Sequence, residues 1–147
     1  LPSDAFKDLR RKFLRPGNVF LKSVDGINHK KFFIVVGLSK DKACICSVYI
    51  NSHIPPSVQA KPKLFNLQVP IRKSLNNFLK YDSYADCSFP IELNTDKILD
   101  LIETGKCELN EDWSIHQEDF KLVRRCIMDS GLLSEDDLEK YFKDPLL

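Results

Sequence analysis

The chain is expected to fold as an α+β protein with a mainly β core: a small antiparallel β-barrel carrying an N-terminal helix and C-terminal helices. Three observations predict it. Residues 17–90 break into short strand-like runs separated by turn residues. After Pro90 the apolar spacing becomes helical. The charge changes sign near the same place: residues 1–80 carry 15 Lys+Arg against 4 Asp+Glu, and residues 81–147 carry 7 against 17. A formal net of +1 therefore conceals a half near +11 and a half near −10. At 147 residues the chain is one domain by size, divided into a helix at 1–16, a barrel at 17–90 and a helical part at 91–147.

Ser3 is placed to cap a first helix in which Phe6, Leu9, Phe13 and Leu14 follow helical spacing, and Pro16-Gly17 ends it. Its other face, Lys7, Arg10, Arg11, Lys12 and Arg15, is ordinarily a solvated stripe and here also a candidate phosphate contact. Residues 18–24 form a first strand, with Asp25-Gly26 as turn chemistry. The run 32–38 is continuously apolar, the mark of a strand covered on both faces. Residues 39–42 turn the chain into a third strand at 43–51, completing a meander of the kind that starts a small barrel.

Residues 52–63 hold three prolines and read as a long surface loop. Phe65, Leu67 and Val69 then alternate with Asn66 and Gln68 as a strand, and 71–80 is ambiguous. Residues 81–89 read as a further strand, with Ser83, Ala85, Cys87 and Phe89 inward and Tyr84, Asp86 and Ser88 outward. Beyond Pro90, taken as the close of the β region, Ile98, Leu101 and Ile102 mark a helix stopped at Gly105. Ser114 with Gln117 reads as a capping box for a helix that buries Phe120, Val123 and Ile127 and stops at Gly131. Ser134 with Asp137 caps a last helix, and Leu133 is placed to staple onto Leu138.

Apolar content of 43% with 29% charged residues is ordinary for a soluble globular protein. The longest apolar run is too short to span a bilayer, so no membrane partner is expected, and no charged-then-apolar leader is visible. Five cysteines without framework spacing read as reduced, mostly buried thiols of a cytoplasmic protein. Cys44 and Cys46 share a strand face, but no second pair accompanies them, so no metal or cofactor is expected. No Gly-rich phosphate loop, HExxH or Gly-x-Ser-x-Gly element is present, which argues against nucleotide hydrolases, zincins and α/β-hydrolases.

The chain opens with a basic amphipathic helix, a strand beginning Gly17-Asn18-Val19-Phe20 and a basic loop. The strand Phe33-Ile34-Val35-Val36-Gly37-Leu38 follows, then a third strand ending Val48-Tyr49-Ile50-Asn51-Ser52. This order resembles the MazF/PemK group of bacterial toxins. The later stretch Phe78-Leu79-Lys80-Tyr81-Asp82-Ser83-Tyr84-Ala85-Asp86-Cys87 is similar to that group's "L-x-x-(D/H)-S-x-(V/A)" strand. The resemblance covers roughly residues 16–131 and lies in the order of elements more than in invariant letters.

The resemblance implies an SH3-like β-barrel with helices, often homodimeric. It also implies a metal-independent endoribonuclease that cleaves single-stranded RNA and is paired with an antitoxin protein or RNA. In that group a basic residue of the first β–β loop and a hydroxyl after the third strand act on the scissile phosphate. Those places hold His29, Lys30, Lys31 and Ser52 here, and residues 25–31 contain no arginine where the group's loop has one.

Metal-free RNA cleavage needs a base for the 2′-hydroxyl proton, an acid for the leaving 5′-oxygen and a cation against the gathering charge. Histidine fills either proton role and lysine supplies a point charge. His29, Lys31 and Ser52 are therefore the candidate catalytic set, with Lys30, Asn51 and His53 as candidate substrate contacts. In a meander the loop before the second strand and the end of the third lie at one rim. Tyr49 and Phe20 are candidate stacking aromatics.

Each residue has a plainer reading. His29 caps a turn, Lys30-Lys31 solvate a loop, Asn51 and Ser52 satisfy turn backbone, and His53 is an exposed loop residue. Asp82, Tyr84 and Asp86 form a polar outer face, while Trp113 and His116 pack and cap. Two functions stay open: a toxin-like ribonuclease, and a non-catalytic barrel module that binds nucleic acid or a protein, with the missing arginine as its mark.

Overall fold

A computed structural model describes residues 2–143, without the side chains of residues 2–4. The strands are β1 (Asn18–Ser23), β2 (Lys30–Leu38), β3 (Cys44–Asn51), β4 (Gln68–Ile71), β5 (Ser83–Asp86), β6 (Ile91–Asn94) and β7 (Cys107–Ser114). The helices are α1 (Pro2–Arg11), α2 (Pro56–Gln59), α3 (Pro62–Phe65), α4 (Thr95–Glu103), α5 (Gln117–Asp129) and α6 (Glu135–Phe142). The chain is thus α+β, built on one seven-stranded antiparallel sheet in the order β4-β5-β3-β2-β1-β7. Strand β3 has two neighbours along its outer edge: β6 at residues 44–47 and β5 at Ile50 and Asn51.

The sheet is not closed into a barrel, because its end strands β4 and β7 do not pair with each other. The reason lies in the central strands, which are apolar on both faces. Ile34, Val36, Val48 and Ile50 face a core closed by Val123 and Ile127 of α5 and Tyr141 and Phe142 of α6. Phe33, Val35 and Ile45 face a second core with Leu14 and with Ile98 and Leu99 of α4. Closing a small barrel would bury only its inner face; helices on both faces bury the two sets together.

The register between β2 and β3 breaks once. Val35 pairs with Ser47 and Gly37 with Cys46, so Val36 is an extra residue in β2. The buried Arg124 of α5 donates from Nη1 to the carbonyl of Val36 at 3.0 Å, and its guanidinium lies over the Phe142 ring. A Cβ on Gly37 would lie 2.6 Å from both Cβ and O of Tyr141, so glycine is what lets α6 seat this closely. Helix α6 is capped by Ser134 Oγ, which accepts from the Asp137 amide at 3.1 Å as the sequence predicts. It is fastened to β6 by Glu92, whose carboxylate accepts from Lys140 Nζ at 3.0 Å and from the Tyr141 hydroxyl.

Several expectations are corrected. The β region does not end at Pro90, because β6 completes the edge of β3 and β7 the edge of β1. Ser114 closes β7 and does not cap α5. His116 precedes that helix without a capping side-chain bond. Buried Asn76 ties the helix start down instead, accepting from the His116 amide at 2.8 Å and donating to buried Asp119 at 2.9 Å.

The prolines of 52–63 do more than make a loop: Pro56 and Pro62 open α2 and α3, the helix-start position that a missing N–H suits. Phe65 therefore ends a helix, and the strand begins only at Gln68. The strand expected at 81–89 is confined to Ser83–Asp86, leaving Phe89 exposed, whereas Phe20 is fully buried and cannot stack on a base. Helix α1 ends at Arg11, before Pro16-Gly17, with Leu9 exposed and Leu14 buried. The proposed Ser3 cap lies outside the described side chains.

The two charge halves meet within the fold. Lys7 pairs with Asp100 and Arg11 with Asp96, both at 2.6 Å, so part of the basic face of α1 lies against acidic α4. Among the described residues no helix is long and apolar enough to cross a membrane.

Two measurements test this packing. Gly37→Ala should cost about 1–3 kcal/mol in urea unfolding, since the new methyl meets backbone of α6; a loss under about 0.5 kcal/mol would contradict the close seating. The Tyr141 hydroxyl, and then Lys140, hold the Glu92 carboxyl below its usual range. The stability it contributes is present above pH 4.5 and is lost as pH falls through its lowered folded value. Glu92→Gln should thus trail the wild type by about 0.5–1 kcal/mol at neutral pH, after solvent screening, and converge with it in acid.

Candidate functional site

Phe33 of β2 stands opposite Tyr49 of β3, which brings the start of one strand beside the end of the other. His29, Lys30 and Lys31 on one wall and Asn51, Ser52 and His53 on the other line a single open cleft of about 400 Å³. Lys31 Nζ donates to Asn51 Oδ1 across the two strands and lies 4.8 Å from the centre of the Tyr49 ring. Partial burial lowers the Lys31 pKa from its usual value, and the Asp86 carboxylate pulls it partly back. Ser52 Oγ lies 3.4 Å from His53 Nδ1, and His29 Nδ1 lies 3.3 Å from Asn28 Oδ1.

Lys30 is turned differently. Its ammonium donates to the Gly105 carbonyl at 3.0 Å and pairs with Glu108 of β7 at 2.8 Å. Lys30 is part of the cleft lining, while its charge is held across β1 toward β7. The Asp86 carboxylate that acts on Lys31 accepts at Oδ1 from Gln68 Nε2 of β4 at 2.9 Å and from the Ser88 amide at 3.0 Å.

The third wall, Phe78, Lys80 and Tyr81, was not foreseen. Phe78 and Lys80 belong to the ambiguous stretch and Tyr81 to the expected strand at 81–89; here the chain forms neither a helix nor a strand but a turn anchored by buried Leu79. Lys73 Nζ donates to the Leu79 carbonyl at 3.2 Å, and Asp82 accepts from the Lys73 amide at 2.9 Å. Phe78 packs edge-on to Phe32 at 5.1 Å, and Trp113 does the same from the other side at 5.3 Å, a packing role as expected. Tyr81 is left 67% exposed, while Phe78 beside it is partly buried. A basic residue next to an aromatic, directly after an apolar anchor, is the signal that marked this wall.

Between its first two walls the cleft holds two imidazoles, the Ser52 hydroxyl, the Asn51 amide and the partly desolvated Lys31 ammonium. The third wall adds Lys80 and Tyr81, and no arginine or carboxylate lines the cleft. Among the described residues no group of three or more His, Cys, Asp or Glu is placed to hold a metal ion. No protein-family model matches the chain, and no curated protein matches it either.

Because burial disfavours the charged form of Lys31, Lys31→Met should leave stability within about 1 kcal/mol of the wild type at neutral pH. The wild type should then gain on the variant as pH rises toward 10.5, since the folded state sheds this proton before the unfolded state does. Chemical denaturation at about pH 7 and about pH 10 checks both statements.

Proposed function

We propose that this chain is a metal-independent endoribonuclease of the bacterial toxin kind, cutting single-stranded RNA, with its β1–β5 unit an opened relative of the SH3-like barrel. One observation carries the reading: the six residues named from sequence, at 29–31 and 51–53, line the same cleft.

An imidazole of His29 would take the proton of the 2′-hydroxyl. The O2′–P bond forms and the P–O5′ bond breaks, and a protonated imidazole returns a proton to the leaving oxygen, giving a 2′,3′-cyclic phosphate and a 5′-hydroxyl. Lys31 offsets charge on the phosphate, and Ser52, beside His53, holds a phosphate oxygen. Tyr81, with Phe78 behind it, offers a face for a neighbouring base. The same reading carries RNA and an antitoxin protein or RNA as partners, and a homodimer.

A second reading rests on a specific observation. No arginine lines the cleft, and the ammonium of Lys30 is spent on Glu108. On that ground the same surface serves a module that binds single-stranded nucleic acid without cutting it.

Purified protein incubated in chelator with a single-stranded RNA, and with the same RNA bearing 2′-deoxy sugars, separates the two. Cyclic-phosphate ends that vanish with the deoxy substrate, and a rate lowered about 10²–10⁴-fold in His29→Ala, are the expected result. Intact RNA, bound with an affinity that falls steeply with salt, leaves the binding module. Cleavage unchanged in His29→Ala removes the cleft from either account.

A further inference from the structure

A larger cleft lies at the opposite end of β2, roughly 25 Å from the first by strand rise. It holds about 930 Å³ and sits between the 15–18 turn, the 38–42 turn, the first half of α5 and Tyr141. Five of its lining residues are cationic, Arg15, Lys40, Lys42, Lys121 and Arg124, and none is acidic. Apolar wall is supplied by Leu38, Ile115, Phe120 and Tyr141.

The surrounding structure explains why this charge is left over. Asp41, between the two lysines, is turned into its own loop, accepting from Ser39 Oγ at 2.7 Å and from the Ala43 amide at 3.0 Å. Glu139 feels Lys40 only from beyond ion-pair distance, and Glu118 engages Lys121 at 3.6 Å on the outer side of α5. Among the described residues Arg15, Lys40 and Lys42 make no ion pair.

The lysines stand on a fixed turn. Ser39 N bonds to the Cys44 carbonyl at 3.0 Å, Lys42 N to the Ser39 carbonyl at 2.9 Å, and Thr95 Oγ1 donates to the Lys42 carbonyl at 2.7 Å. Lys42 is held at φ +61°, a conformation seldom adopted by a side-chain-bearing residue. Below them the buried guanidinium of Arg124 is fixed by the Val36 carbonyl. Arg15, Lys40 and Lys42, gathered without an ion pair, repel one another, and a multiply charged anion relieves that repulsion.

We propose that this second cleft binds a phosphate-bearing small molecule with an apolar or aromatic body, of the nucleoside phosphate class. The phosphoryl group sits among Arg15, Lys40 and Lys42, and the body rests against Leu38, Ile115 and Phe120. The volume is within the range of pockets for ligands of that size. The site is independent of the first cleft and of whether RNA is cut there.

Calorimetric titration in near-physiological salt tests it with adenosine 5′-triphosphate, tripolyphosphate and adenosine as probes. Adenosine 5′-triphosphate should bind with a single saturable stoichiometry, more tightly than tripolyphosphate, and adenosine should fail. Lys40→Ala combined with Lys42→Gly, which relieves the backbone at Lys42, should weaken binding at least about tenfold, whereas Lys31→Met should not. Amide shifts on titration should fall at residues 38–43 and not at 29–31, a readout that stands if the double variant fails to fold. The proposal is overturned if no probe saturates, if tripolyphosphate binds as well as the nucleotide, or if the amide shifts fall at the first cleft.

Discussion

Where Phe33 faces Tyr49, the rings meet edge-on at 5.8 Å, and Phe20 stacks flat on Phe33 at 5.1 Å from the next strand. That row of rings fixes the register of β1, β2 and β3, and the register fixes the rest. It sets Lys31 against Asn51 and so creates the first cleft. It also decides which residues of β2 face which core. A slip of one residue would exchange the faces throughout, sending Ile34 and Val48 toward α4 and Phe33 toward α5. With both faces apolar, such a slip would not simply expose the core; the aromatic row and the bulge at Val36 are what single out one arrangement.

The charge division of the chain resolves into geography. Acid from the second half is spent on base from the first, as in Lys7 with Asp100, Arg11 with Asp96 and Lys30 with Glu108. Exposed pairs of this kind add little stability individually. Their larger effect is to cancel the field along α4 and β7, leaving positive charge at the two ends of β2. Of the first-half cations outside those pairs, Arg15, Lys40 and Lys42 line the cleft at one end of β2 and Lys31 and Lys80 the cleft at the other.

Much of this was legible in sequence for physical reasons. A continuous apolar run has one economical use, a strand covered on both sides, and β2 is that strand. The meander of β1, β2 and β3 followed from its turn residues, and it alone brings 29–31 to 51–53. What the sequence hid depends on tertiary partners. The strands β6 and β7 carry polar residues such as Glu92, Asn94, Glu108 and Asn110, and they become strands because β3 and β1 offer open edges. The cap at Ser114 matched a motif, yet that residue was claimed by β7 and the helix start by Asn76, forty residues away in the chain. The wall at Phe78 and Tyr81 hangs on a single buried leucine, a signal too short for any periodicity to reveal.

The pairing of β1 with β7 has a consequence for the order in which the molecule comes into being. Strand β1 is complete at Ser23, but its outer partner begins at Cys107, about eighty residues later. At roughly 5–20 residues per second of synthesis, that delay is on the order of 4–17 s. Once residue 80 has been added, the chain contains all of β1–β3 but not the outer partner of β1, and its formal charge is +11, because the acidic residues that neutralise it are encoded last. The nascent protein is thus a polycation beside ribosomal RNA before it is a nearly neutral folded one. Arrival of the 107–114 segment closes the edge, and Glu108 brings with it one of the charges that ends the imbalance.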